Sequence, residues 1–524
     1  MNSVHSSVLS SVHSSFGPYG PEFSNPIPEN PVNPGTLVDS YKLTHLFKGR
    51  GFTLFLTYAH ITPRNNGKGP SYAVAVGQQH IAATMASFTI RPEFGRQLAS
   101  FSEKHHFMPG VFDHSMFDRI AAAGGKIPMR IRGVPEGTVV PRGVPVLIVE
   151  STTEAQAVPF FEAQLQRIWY PTSVATRATE YRTVVNEFLQ LTVDPELIEV
   201  IRPYTIHEMG ARGTPSEDSA KIGGLAAREA GIGGTDTHAG MFYAMELMPD
   251  IDPATGTPIV PAASVPAGEH NVAMSWGESG ESIPFENTLD RYPTGLLSWP
   301  IDTFDSLRFV DSVTKPGALR SRLMARKGKL VLRPDSPLVH PSGRKMTHGE
   351  TIRAIFARVR ENLSDLDAST GGIKTNKRGF LVFPDWLGCI YGDSLTTDDV
   401  RDIYTSILAD NWSAQNMVFG VGGNLLQRNI ERGTLDFAMK CSQQVYRNDA
   451  TGELEVRDVG KKTPGKVSPV GRFKVVLREG RHQMVAEDDG PEPDIMVTYY
   501  EDGKLYNFEP LATIRARVKA GVGF

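Results

Sequence analysis

The sequence predicts an α/β protein with a parallel sheet, open or closed as a barrel, and a second sheet domain that the C-terminal part completes. Three observations predict it. From about Glu199 to Arg432, short apolar stretches alternate with helical patterns in roughly seven strand–loop–helix units. On either side of that run the pattern is different, with strands and amphipathic helices before it and a return to strands after Lys440. Finally, the strand ends within the run carry Asp, Arg, Ser or Gly. In a barrel those ends converge on one face, so scattered fragments become one pocket.

Composition narrows the class. A chain of 524 residues, 40% hydrophobic and 21% charged, can bury a large core and divides into two or three units. A formal net charge of -4 carries no polyanion-binding signature, which argues against nucleic acid as a partner. The two cysteines, Cys389 and Cys441, cannot build a disulfide framework or a cysteine-rich zinc site. No apolar run approaches the ~20 residues that span a bilayer. The first residues lack the basic and apolar regions of a secretory signal, and the first Lys or Arg is Lys42. A cytoplasmic protein with no membrane partner is the simplest expectation.

Residues 1–36 are rich in Ser, Pro, Asn and Gly and repeat S-V-H-S-S at Ser3–Ser7 and Ser11–Ser15. They read as a flexible tail, with metal binding by the repeat histidines the lesser reading. Residues 37–195 form the N-terminal part of the sheet domain. Strands are expected at Leu54–Ala59, Met129–Val134 and Val144–Glu150, and amphipathic helices at Ala155–Trp169 and Ser173–Leu191.

Residues 196–432 form the parallel unit. Its strands are expected at Tyr204–His207, Gly234–Asp236, Ser264–Val265, Leu296–Ser298, Leu330–Arg333, Cys389–Tyr391 and Met417–Phe419. Its helices are expected at Asp218–Ala230, Gly240–Met248, Thr303–Val313, His348–Asn362, Thr397–Asp410 and Asn424–Glu431. Residues 433–524 complete the sheet domain, with strands Arg472–Leu477 and Asp494–Tyr500, helix Leu511–Ala520 and a basic loop at Gly460–Lys466.

The chemistry sits at the strand ends. In F-G-V-G-G-N-L-L-Q, Gly422 and Gly423 let backbone N–H groups approach an anion, although a tight turn alone also requires glycine. Arg428, Arg432 and Lys440 follow and strengthen the anion reading. In V-L-R-P-D-S, Arg333 suits a phosphate or an aromatic face and Asp335 suits sugar hydroxyls; the plainer reading is a salt bridge. Gly392 and Asp393 repeat the theme, against the plainer reading of a turn. Asp236 is either the N-cap of the helix that follows or an acceptor for an amide N–H, which would repel a carboxylate ligand. His270 is a candidate nucleophile or proton-transfer residue, against a structural histidine. No H-E-x-x-H spacing suggests a metal cage. These residues alone support a sugar-phosphate enzyme and leave the substrate open.

Eight motifs then carry a resemblance, in order along the chain. They are D-S-Y-K-L-T-H (Asp39–His45), V-P-E-G-T-V-V-P-R-G (Val134–Gly143), W-Y-P-T-S-V-A-T (Trp169–Thr176) and G-T-D-T-H-A-G (Gly234–Gly240). They continue with S-V-P-A-G-E-H (Ser264–His270), R-P-D-S (Arg333–Ser336), G-D-S (Gly392–Ser394) and F-G-V-G-G-N-L-L-Q (Phe419–Gln427). The sequence resembles the nicotinamide phosphoribosyltransferases, within the type II phosphoribosyltransferase family, from about Val38 to the C-terminal region.

The resemblance implies a homodimer of an irregular (β/α) barrel joined to an α/β sheet domain built from the N- and C-terminal parts of the chain, with active sites at the dimer interface. It implies condensation of nicotinamide with phosphoribosyl pyrophosphate to nicotinamide mononucleotide and pyrophosphate, with Mg²⁺, as the entry to NAD salvage. By the same resemblance Asp236 accepts from the nicotinamide amide, Tyr41 of the second subunit stacks on the ring, and Arg212, Arg333, Ser264, Val265 and Ser298 line the pocket. Asp335, Gly392 and Asp393 contact ribose, and Gly422 and Gly423, with Arg432 and Lys440 of the second subunit, take the sugar phosphate. His270 is phosphorylated from ATP with Asp302 beside it, and Lys461, Lys462 and Lys466 fall near nucleotide phosphates. The sequence departs from the family pattern at three places. Met209 replaces a ring-stacking aromatic, Glu208 replaces an Asp, and one extra residue lies between Gln427 and Arg432. The nearest rival is a nicotinate phosphoribosyltransferase, which Asp236 disfavours. A binding or signalling protein on the same scaffold would have lost some of these polar residues, and none is lost.

Overall fold

The computed structural model describes residues 22, 27–65, 69–464 and 466–523, so the Ser-rich repeats lie outside the described residues. The chain forms two compact units. One comprises residues 1–176, 246–250 and 430–522, the other residues 177–245, 251–429 and 523–524.

The division differs from the expected boundaries at 195/196 and 432/433. The first boundary falls inside a single helix, Trp169–Thr192, rather than after it. Pro171 lies in that helix's first turn, where a missing N–H costs nothing, so the sequence carries no break signal there. Upstream, the helix expected at Ala155–Trp169 is two single turns, Ala157–Phe160 and Glu162–Gln166, parted at Phe161. Order also begins before Val38. Asn30 bridges Phe88, and Asn33 both accepts from Gly35 N at 3.0 Å and donates to Phe94 O at 3.1 Å. The expected tail therefore reaches less far than residue 36.

In the first unit the main sheet is antiparallel along its whole path. Its order is Leu454–Asp458, Ala438–Asn448, Phe52–Thr62, Leu147–Ser151, Met129–Gly133, Val497–Glu501 and Lys504–Leu505. Strands from the two ends of the chain interleave, so the C-terminal part does complete the N-terminal domain. The core is apolar and continuous, with Tyr58, Ile61, Met129, Ile131, Leu147, Val149 and Phe161 buried together. The 11-residue strand Ala438–Asn448 and the hairpin Phe473–Arg478/Arg481–Ala486 extend well beyond the strands expected from the sequence.

In the second unit the six-stranded sheet is parallel at every pair, and a separate short pair, Lys374–Thr375 with Leu381–Val382, is antiparallel. The order in the six-stranded sheet is Gly234–Thr235, Ile206–Glu208, Met417–Val421, Leu387–Tyr391, Lys327–Arg333 and Thr294–Pro300. The strand expected at Ser264–Val265 is absent as such. Instead, isolated bridges join Ala263 to Gly234 and Ala267 to Ser298, one to each edge strand. Ala263 N donates to Gly233 O at 2.8 Å and Gly268 N to Ser298 O at 2.9 Å. Residues 263–268 thus connect the two edges of a curled sheet, and two prolines, Pro261 and Pro266, keep the segment from making a full ladder.

Helices start where expected behind the long strands. His348–Asn362 opens with a Thr347/Glu350 capping box and Thr397–Leu408 with a Thr396/Asp399 one. Trp412 packs edge-on against Phe356 and Phe383, and the three ring centroids lie within 5.2 Å of one another. The helix expected at Asn424–Glu431 is only Gly423–Leu426, because Gln427 leaves helical geometry and Asn429 sits at φ 55. No helix among the described residues is long and apolar enough to cross a membrane.

Candidate active site

The strand Ile206–Glu208 sends its side chains alternately to two faces, and each face has a different task. Glu208 is fully buried and accepts from Gly210 N at 2.5 Å, Thr235 Oγ1 at 2.6 Å and Thr237 Oγ1 at 2.8 Å. It locks two adjacent strand ends together. His207, on the other face, brings Nε2 to 3.2 Å from Asp236 Oδ1. Ser264 Oγ donates to the same oxygen at 2.6 Å. The Asp236 carboxylate is thereby engaged by His207 and Ser264, ahead of the helix His238–Leu247. The His207 hydrogen bond, reinforced by Ser264 and the positive Arg333, outweighs burial and holds the Asp236 carboxyl below the usual range. Its second oxygen is left to accept.

Glycines bring the strand ends close. A Cβ on Gly420 would meet Met209 Cε at 2.6 Å and Gly392 Cα at 3.3 Å. A Cβ on Gly392 would lie 3.6 Å from Asp335 Oδ1. Met209, Gly392 and Asp335 are therefore neighbours, and side chains at the two glycines would fill the space between them. The turn Ala211–Gly213, which carries the exposed Arg212, packs on the next loop, since a Cβ on Gly213 would lie 3.2 Å from Gly423 Cα. Gly423 itself faces open space.

Opposite Asp236 stands a charged group from three further segments. His270 Nε2 lies 2.9 Å from Oδ1 of the buried Asp302. Arg333 Nη2 donates to Gly268 O at 2.7 Å, and its Nε is 3.4 Å from Asp335 Oδ2. Burial pushes the Asp335 carboxyl up, and the negative charges of Asp302 and Asp393 push it further, against the pull of Arg333 and His270. Ser298 Oγ is buried and makes no hydrogen bond in the described structure, while Val265 is half-buried beside Ser264.

The structure thus assembles Asp236, Ser264, His270, Asp302, Arg333, Asp335, Gly392 and Asp393 on the strand-end side of the parallel unit. Tyr41, Arg432, Lys440, Lys461, Lys462 and Lys466, also expected at the site, belong to the sheet unit. Tyr41, on the turn Ser40–Thr44, exposes its ring and donates its hydroxyl to Asp39 at 3.2 Å. Arg432 Nη1 donates to Phe437 O at 2.5 Å. Lys440 lies directly across from His60, whose burial, with the Lys440 charge, lowers its pKa to about 4. Lys461 and Lys462 are exposed, and Lys466 opens a two-residue strand paired with Lys462–Thr463.

His207 is the functional residue to which the sequence reading assigned no role, although its alternation with Glu208 and Met209 places it on the Met209 face.

Comparison with known proteins decides the family. The profile of the Nicotinate phosphoribosyltransferase (NAPRTase) family matches residues 204–463. The chain is 31% identical over 415 residues to a nicotinamide phosphoribosyltransferase of Xanthomonas campestris pv. campestris, covering 77% of this chain and 81% of that one. The chain belongs to the nicotinate phosphoribosyltransferase family. A nicotinamide phosphoribosyltransferase of Acinetobacter baylyi is 27% identical to it over 420 residues, covering 75% and 76% of the two chains. Among solved structures, a nicotinate-nucleotide pyrophosphorylase from Pyrococcus furiosus matches with TM-score 0.57 at 17% identity, over 94% of this phosphoribosyltransferase and 96% of that chain. Human nicotinic acid phosphoribosyltransferase matches with TM-score 0.53 at 16% identity, over 92% and 93%. These two likenesses speak for the fold. The matched residues 204–463 include every site residue of the parallel unit named above.

Proposed function

We propose that the protein joins nicotinamide to phosphoribosyl pyrophosphate, forming nicotinamide mononucleotide and releasing pyrophosphate. The observation that carries the substrate is the Asp236 carboxylate, held ionised by His207 and Ser264 with one oxygen still able to accept. It suits an amide N–H. A nicotinate carboxylate would meet its charge. The bacterial relatives named as nicotinamide phosphoribosyltransferases support the same choice.

In this reaction the pyridine nitrogen bonds to the anomeric carbon as the carbon–oxygen bond to pyrophosphate breaks, and the electron pair leaves with pyrophosphate. The ring nitrogen is already nucleophilic, so no general base is needed and orientation supplies most of the rate. Asp236 fixes the amide end of the ring, and Met209 packs on its face. Asp335 and Asp393 accept from the ribose hydroxyls, Arg333 and Arg212 balance leaving-group charge, and Gly422–Gly423 offer backbone N–H groups to phosphate.

Mg²⁺ fits this site as a shared ion. The Asp393 charge bears on the buried Asp335, and among the described residues no three His, Cys, Asp or Glu side chains form a cage of their own. These two aspartates would hold the ion together with substrate phosphates, and the ion would neutralise departing charge. ATP enters the proposal through His270, whose ring is partly exposed and oriented by Asp302. Transfer of the γ-phosphoryl group to His270, with ADP leaving, would link hydrolysis to turnover. A cytoplasmic homodimer completes the proposal, with Tyr41, Arg432 and Lys440 serving the second subunit's site and the basic segment 461–466 lying near the nucleotide phosphates.

The test offers purified protein phosphoribosyl pyrophosphate and Mg²⁺ with nicotinamide or nicotinate, with and without ATP. Nicotinamide mononucleotide is the expected main product, and nicotinate mononucleotide in its place would overturn the substrate. With γ-labelled ATP, acid-labile label is expected on the wild type and lost in His270→Ala; label retained in that variant refutes the phosphorylation site.

A further inference from the structure

We infer that Asn424 is a positioning residue that fastens the turn carrying Asp393 to the Gly422–Gly423 loop, so that phosphoribosyl pyrophosphate meets its ribose and phosphate contacts as one preassembled surface. The inference rests on the phosphoribosyl-transfer reading above. Asn424 is buried at the start of the single turn Gly423–Leu426. Its Nδ2 donates to two successive carbonyls of the facing turn, Ser394 O and Leu395 O, the latter at 3.0 Å. One primary amide therefore spends both protons on bridging two ligand loops.

The bridged turn needs holding. Ser394 sits at φ 49, a left-handed conformation that a non-glycine residue keeps only when its surroundings impose it. A second donor helps, because Tyr181 Oη donates to Leu395 O at 2.8 Å. The bridge is itself anchored, since Arg177 Nη1 donates to Asn424 O at 3.3 Å while its Nε holds Glu180 at 3.1 Å. Arg177 and Tyr181 stand one turn apart on the helix Trp169–Thr192, so a rigid element supports both loops. None of these bonds involves His207, Asp236 or Ser264, so the two substrates should respond differently to their loss.

The experiment measures initial rates of the full-length protein with each substrate varied in turn, for wild type, Asn424→Ala, Tyr181→Phe and the double variant. Wild-type turnover of nicotinamide with phosphoribosyl pyrophosphate decides the underlying reading, and the variants decide the inference. Asn424→Ala is expected to raise KM for phosphoribosyl pyrophosphate about tenfold, with KM for nicotinamide within about twofold of wild type. The double variant is expected to fall short of the product of the single effects, because both side chains hold the same carbonyl. An unchanged KM for phosphoribosyl pyrophosphate overturns the inference, and so does an equal rise in both KM values with a lowered Tm. Should Asn424→Ala fail to fold, Tyr181→Phe must raise the KM for phosphoribosyl pyrophosphate alone, by about threefold, or the inference falls.

Discussion

Asp236 and Asp335 are both strand-end aspartates of the parallel unit, yet their surroundings push them in opposite directions. Asp236 lies near the mouth of the site, receives hydrogen bonds from His207 and Ser264, and is held below the usual carboxylate range. Asp335 is more buried, shares its space with Asp302 and Asp393, and is pushed up despite Arg333. The first is a finished anion, held ionised by its hydrogen bonds. The second is an unfinished one, waiting for hydroxyls or a cation to offset its burial. Residue type is the same in both; the difference comes from what faces each one.

The comparison breaks most sharply at Asp236. Asp236→Ala is expected to lower kcat/KM for nicotinamide about 100-fold while calorimetric binding of phosphoribosyl pyrophosphate stays within about twofold, since the deleted charged acceptor serves only the base. Unchanged nicotinamide kinetics would remove the assignment. A smaller effect is expected from His207→Ala, which takes away the first cause of the depressed pKa. A carboxylate with a lowered pKa keeps its charge down to that pKa and loses it as pH falls further. The acid limb of the nicotinamide kcat/KM profile should therefore move to higher pH in His207→Ala, and an unmoved limb would show that His207 does not set the charge.

The smallest effect sharpens the other side. Ionising Asp335 costs stability wherever pH exceeds its raised pKa, and that cost vanishes below the ordinary carboxylate range. Asp335→Asn should consequently raise Tm by about 2 °C at pH 8, with the gap closing as pH falls, while turnover drops. A lowered Tm at pH 8 would mean that the Arg333 contact outweighs the burial of Asp335.

Much of the fold was legible because its signals are local. The helix His348–Asn362 has the expected bounds, since a Thr–Glu capping box and a clear apolar period are both written in adjacent residues. The strands Ile206–Glu208, Lys327–Arg333, Leu387–Tyr391 and Met417–Val421 were visible as short apolar runs leading into polar or glycine residues. Three features were not legible. The run at Ser264–Val265 looks like a strand but only bridges two sheet edges, because the proline spacing interrupts its ladder. The helix Gly423–Leu426 stops where Gln427 leaves helical geometry, and Asn429 then turns left-handed, although the composition would allow the helix to continue. The unit boundary inside Trp169–Thr192 has no local mark, because a continuous helix can serve two cores.

The candidate site divides the same way. The sequence by itself determined which groups are available: an aspartate between two threonines, R-P-D-S, G-D-S and a Gly-Gly turn, each at a strand end, which supports a sugar-phosphate enzyme, while the reaction itself came from the family resemblance. Only the tertiary structure decided their states. His207, Asp236 and Ser264 come from three separate segments, as do His270, Asp302 and Asp335, and no spacing within one segment reports their contacts. Charge and hydrogen bonding act through space over a few ångströms, whereas the chain records only neighbours along its length.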